Sequence, residues 1–147
     1  FYLFYFENVV PSTDAAFRFQ VNSGTNIVST LYRTGHGVLD GNTELSLEAG
    51  GQNTQKNVTS NQSLTYLTSG GSSEDNLSGE MWFFNPAGTT DYKIWQSRFF
   101  TFAGSTYWLD NLAAGQFRTT SAITSIKFLF SRGNIVSGKI KHYGFKE

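Results

Sequence analysis

The sequence predicts an all-β protein, a single domain built as an antiparallel sandwich or jelly roll of about ten strands. Three observations carry that expectation. Helical periodicity of apolar residues is almost absent, while short aromatic and β-branched runs alternate with polar residues at a period of two. Clusters of Gly, Asn, Ser and Asp interrupt these runs roughly every 8–12 residues, the spacing of sandwich folds. The 147 residues hold 15 Gly against 2 Pro, with Ser and Thr at 16 each and aromatics at 16%. Charged residues make up only 15%, below the roughly 25% of an average domain.

The elements follow in order. Phe1 to Val9 is apolar at nearly every position, which predicts a central strand covered on both faces, and Pro11 should end it because proline cannot donate to a ladder. Ala16 to Asn22 alternates, with Phe17, Phe19 and Val21 inward against Arg18 and Gln20. Ile27 to Arg33 follows a Ser23-Gly24 turn, and Glu44 to Glu48 alternates again. Ser63 to Thr68 forms a further strand. Ser78 to Asn85 is aromatic and ends at the Pro86-Ala87-Gly88 turn. Tyr92 to Thr101 and Ser105 to Leu109 predict a hairpin around Ala103-Gly104, with Phe117 to Thr119 a short extended piece. Ser125 to Ser131 places Ile126, Phe128 and Phe130 inward. Gly133-Asn134 offers the positive φ angles of a tight hairpin turn, and Ser137 to Tyr143 closes the chain. Thr34–Thr43, Ala49–Ser60 and Ser69–Asn76 have loop composition.

Composition excludes several function classes. Eleven Lys and Arg balance eleven Asp and Glu, which argues against a nucleic-acid or anionic-membrane surface. The absence of cysteine removes disulfides, thiol catalysis and thiolate metal sites. No apolar run approaches the roughly 20 residues of a membrane-spanning helix. The opening Phe1-Tyr-Leu-Phe-Tyr-Phe6 is too short for a signal-peptide core, and the chain does not begin with Met. Both features suggest a processed product or a C-terminal piece of a longer chain.

Catalytic and metal signals are weak. The two histidines, His36 and His142, come with no Gly-x-Ser-x-Gly elbow. Glu44 and Glu48 would stand roughly 13 Å apart along a strand, too far for a retaining glycosidase pair. Glu74-Asp75-Asn76, and Asp40 with Asn42 and Glu44, match no calcium-loop spacing. The expectation is therefore no catalytic residue, no metal and no cofactor. The tryptophans are more informative. If Phe83 faces the core, Trp82 and Phe84 face outward; if Ile94 faces inward, Trp95 faces out beside Lys93. Aromatic rings with neighbouring Asn, Asp and Gln have the composition of a sugar-binding surface, where apolar sugar faces stack and hydroxyls bond to a polar rim. Trp95, Tyr107, Trp108 and Asp110 are the ligand candidates on this reasoning. Trp82 is expected to fill a core or a subunit interface.

The C-terminal third carries a resemblance. Ile123-Thr-Ser-Ile-Lys-Phe-Leu-Phe-Ser-Arg-Gly-Asn-Ile-Val-Ser-Gly-Lys-Ile-Lys-His-Tyr-Gly144 resembles the ending of bacteriophage virion modules found in tail fibres, tail tips and decoration proteins. Phe4-Tyr-Phe-Glu-Asn-Val-Val-Pro-Ser-Thr-Asp14 is similar to the start of such a module, and Pro86-Ala-Gly-Thr-Thr-Asp-Tyr92 to its central hairpin. The resemblance touches both ends and the centre, and it departs at His142, where the module usually carries an aliphatic residue. It implies a concanavalin-like jelly roll and membership of a virion, and it assigns no site residue.

Together these features imply an extracellular, virion-borne receptor-binding domain of a tail fibre that recognises host cell-surface polysaccharide. It is expected to assemble as a homotrimer alongside other virion proteins. A structural capsid-decoration or tail protein is the alternative, and a glycan hydrolase or depolymerase the third.

Overall fold

A computed structural model describes residues 1–21, 27–39, 42–48, 62–65, 68, 70–71, 75–103, 107–117 and 119–145; for 27–39, 42–48, 62, 103 and 107 it describes the backbone alone. The described residues are all β, antiparallel and without a helix, so none of them forms a helix long and apolar enough to cross a membrane. The strands are β1 (Tyr2–Pro11), β2 (Phe17–Val21), β3 (Ile27–Leu39), β4 (Asn42–Glu48), β5 (Gln62–Ser63), β6 (Leu77–Phe84), β7 (Lys93–Ala103), β8 (Tyr107–Phe117), β9 (Ile126–Phe130) and β10 (Ile135–Gly144). A large sheet has the order β10-β1-β6-β7-β8-β3-β4, and a small one the order β5-β2-β9.

The alternation read from the sequence explains the inner faces. Phe17, Phe19 and Val21 are buried on β2, and Phe130 on β9. Opposite them lie Phe4 and Phe6 of β1, Met81 and Phe83 of β6, Trp95 and Phe99 of β7, and Phe117 of β8. The rings meet edge-on: Phe6 with Phe17 at 5.5 Å, Phe6 with Phe128 at 4.9 Å, and Phe19 with Trp95 at 4.9 Å. Each such ring contributes about 1.5–3 kcal/mol by leaving water, with edge-to-face geometry adding to it. Asn111 sits fully buried among them, its amide donating to the Phe99 and Leu109 carbonyls and to Thr101 Oγ1, which ties β8 to β7.

Glycine solves two packing problems. Gly79 lies between Phe6 and Phe99 in register, and a Cβ there would collide with the Arg98 carbonyl oxygen. Its bare backbone lets the Phe6 and Phe99 rings meet at 5.0 Å above it. Gly138, at φ +123°, faces an irregularity in β1 where Asn8 takes φ 51° and the register shifts between Glu7 and Val10; a Cβ would sit 2.6 Å from Val9 Cα.

Several expectations need correction. β1 is central, between β10 and β6, but only its inner face is covered: Tyr5 on the outer face is 41% exposed. The Thr34–Thr43 segment is mostly strand, paired with β8 through Gly37 and with β4 through Leu39, and residues 40–41 of the β3–β4 connection lie outside the described residues. Gly133 does take a positive φ of 66°, yet it serves no hairpin, because β9 pairs with β2 and β10 with β1. The 131–134 segment therefore crosses between sheets, held where Ser12 and Asn134 exchange hydrogen bonds. Of the Ser63–Thr68 stretch, the described residues place Ser63 in the two-residue β5 and Thr68 in an isolated bridge with Ala15, and Tyr66 and Leu67 lie outside the described residues. The β7–β8 hairpin is present but longer than expected, so Phe117 ends β8 rather than starting a separate piece. The Ser23-Gly24 turn, the Ala49–Ser60 loop, Glu74 and Gly104 lie outside the described residues.

Candidate functional site

Antiparallel register lines up outward-facing residues of neighbouring strands. Trp82, Gln96 and Ala114 stand directly opposite one another on β6, β7 and β8, and Glu80, Arg98 and Leu112 form the next row. Neighbouring strands are about 4.8 Å apart, and residues i and i+2 about 7 Å along a strand. These two rows enclose a shallow trough of about 290 Å³ on the outer face of the large sheet. Small Ala114 leaves its floor low, while Trp82, Arg98 and Leu112 rise around it.

Arg98 is fixed in place. Its Nε donates to Asp110 Oδ1 at 3.0 Å and its terminal nitrogen to Oδ2 at 2.7 Å, a forked ion pair. The guanidinium lies 5.0 Å from the Phe100 ring centre. Asp110, with a smaller push from Glu80, raises the Arg98 pKa further above its usual range. The Asp110 side chain is only 7% exposed against 53% for Arg98. The acid thus positions the cation, and the cation faces solvent at the trough.

The four residues singled out from sequence do not converge. Trp108 and Asp110 share this outer face, with Trp108 6.3 Å from Phe100. Asp110 lies in the middle of β8 rather than in a turn. Tyr107 pairs through its backbone with Ala103 and Gly37, and its side chain is outside the described residues. Trp95 requires a correction: it is fully buried, whereas Ile94 is 55% exposed. Its ring packs on Phe19 and offers no surface platform.

The inverted parity of β7 has a visible cause in Lys93. This residue is buried, and its Nζ donates to the carbonyls of Asp91, Thr119 and Thr120 at 2.8–3.3 Å. A satisfied ammonium can enter the inner face, so Trp95 two residues on does too.

A second cleft of about 210 Å³ opens between the sheets beside β10, lined by Tyr2, Phe83, Ile123, Ile126 and His142 among others. His142, where the resembling module carries an aliphatic residue, is exposed and stacks flat on Phe4 at 4.6 Å. His36 stands five strands away in the sheet order, about 24 Å, so the two histidines share no site. Among the described residues no three His, Cys, Asp or Glu gather as metal ligands.

Sequence reasoning missed Glu80, Gln96, Arg98 and Leu112, because cross-strand register brings them together, and it gave Trp82 to a core or subunit interface. Compared with known proteins, the chain matches no family model, no curated protein and no solved structure.

Proposed function

We propose that the protein is the receptor-binding head of a bacteriophage tail fibre, an extracellular virion domain that holds host cell-surface glycan on the outer face of its large sheet. The trough carries this reading. It sets an aromatic wall, Trp82, beside the polar groups of Gln96, Glu80 and a locked Arg98 on a sheet face that no other described element covers. Stacking plus a few fixed polar groups is the chemistry that recognises a sugar. Trp108 lies further along the same face, where an extended polysaccharide would reach it.

A concanavalin-like jelly-roll sandwich of about ten strands is the proposed architecture. The nested antiparallel pairing of β1 with β10, β2 with β9 and β3 with β8 supports it, as does the resemblance at both chain ends. Binding without turnover fits the acids on this face. Hydrolysis needs two carboxyl groups at the bond, and both oxygens of Asp110 are occupied by Arg98.

A test uses host envelope polysaccharide. The protein is expected to bind it without releasing oligosaccharides, and Trp82→Ala to lose about tenfold or more in affinity while its melting temperature falls by no more than about 5 °C, the cost of its contacts with Phe1 and Phe145. Trp95→Ala, a core truncation, should instead cost about 3–5 kcal/mol in stability. Release of defined oligosaccharides would overturn the binding-only reading.

A structural role favours a different surface. Phe1 stacks on Phe145 at 4.6 Å, and Phe84 joins them at 6.3 Å from Phe1, all three exposed beside the β10 edge. Such an apolar cluster needs cover, and packing of copies into a homotrimer would supply it.

A further inference from the structure

The geometry points to an uncharged, N-acetylated hexosamine as the sugar unit that the Trp82–Gln96–Arg98 trough selects, a refinement that rests on the glycan-binding reading above. Three features converge on that class. Glu80, Arg98 and Asp110 together carry a formal charge of minus one, and Arg98 already spends its fork on Asp110. A uronate or other acidic sugar would meet the Glu80 carboxylate while Arg98 is committed to Asp110, so acidic glycans are disfavoured. Gln96 stands exposed between Trp82 and Ala114 with both an amide donor and an amide acceptor, the complement of an acetamido group. Beyond it, Ala114 and the 38%-exposed Leu112 give the acetyl methyl an apolar contact. A plain hydroxyl at that ring position can still bond the Gln96 amide but leaves the Leu112–Ala114 surface wet.

Calorimetric titration with three tetrasaccharides tests this: β-1,4-linked N-acetylglucosamine, cellotetraose and tetragalacturonate, with host envelope polysaccharide in parallel. The N-acetylated chain should bind about tenfold tighter than cellotetraose, and tetragalacturonate should give no heat. Gln96→Ala should collapse the difference between the two neutral chains, and Glu80→Lys should gain binding of tetragalacturonate; both sites are on the surface, so melting temperatures should hold. Equal affinity for the neutral chains, or preference for tetragalacturonate, overturns the acetamido assignment and leaves glycan binding standing. Heat from the host polysaccharide alone also overturns it. No heat from any of the four removes the glycan reading itself, and the assignment with it.

Discussion

Lys93 is the residue whose role local sequence conceals most. Read beside Ile94 it marks an outer face; in the fold it is an inward clamp that joins the start of β7 to the segment after β8 through three carbonyls. Lys93→Met keeps the stem and removes the donor to three part-buried hydrogen bonds. We expect a loss of about 2–3 kcal/mol and a melting temperature lower by about 5–10 °C, measured by calorimetry. A variant as stable as the parent would mean that these carbonyls find other donors. Glu7 gives a second residue-scale test. It lies 3.1 Å from Lys141 Nζ and 3.8 Å from Lys139 Nζ, and these hold its carboxyl below the ordinary 4.5, the Lys141 hydrogen bond acting most strongly. A carboxyl depressed on folding adds stability above its unfolded pKa and loses it as pH falls through the folded one. The contribution of these surface pairs is therefore present at neutral pH and fades below about pH 4.5. An NMR titration should place Glu7 below 4.5 at low salt and move it up toward that value in 1 M salt.

At the scale of elements, strands that alternate with a single apolar set were legible. Phe17, Phe19 and Val21 of β2, and Phe128 and Phe130 of β9, face where their period of two puts them. β7 was not, because Lys93-Ile94-Trp95 offers two apolar residues of opposite parity and the choice is made by distant carbonyls. β3 was misjudged for a related reason: Thr34-Gly35-His36-Gly37 looks like a turn, yet β4 and β8 pair its backbone on both sides. The outer-face trough was not legible: the sequence reading turns Trp82 outward but gives it to a core or subunit interface, and register, not proximity in sequence, sets Gln96 and Arg98 beside it. The bulge in β1 supplies a test of register. Gly138→Ala combines a positive φ with a 2.6 Å approach to Val9 Cα, and should destabilise by about 2 kcal/mol or more. Hydrogen exchange should quicken in β10 before β6. Equal quickening throughout the large sheet would show that the bulge does not localise the strain.

At the scale of the whole molecule, two surfaces compete for partners. The Phe1–Phe84–Phe145 cluster lies next to the exposed edge strand β10 and adjoins the trough at Trp82, whose ring stands 5.6 Å from Phe1 and 6.0 Å from Phe145. Because Trp82 belongs to both, copies that pack through the cluster would cover one wall of the trough. Light scattering at micromolar concentration is expected to show a trimer, with Phe84→Asp shifting it to monomer; a monomeric parent protein would refute the assembly. The central claim concerns the outer face, and amide and indole chemical-shift mapping during a glycan titration tests it most directly. The account predicts that the Trp82 indole N–H, the Gln96 side-chain amide and the backbone of Glu80, Arg98 and Leu112 move together and saturate together. Shifts confined to the Tyr2–His142 cleft, or none at saturating polysaccharide, would contradict it.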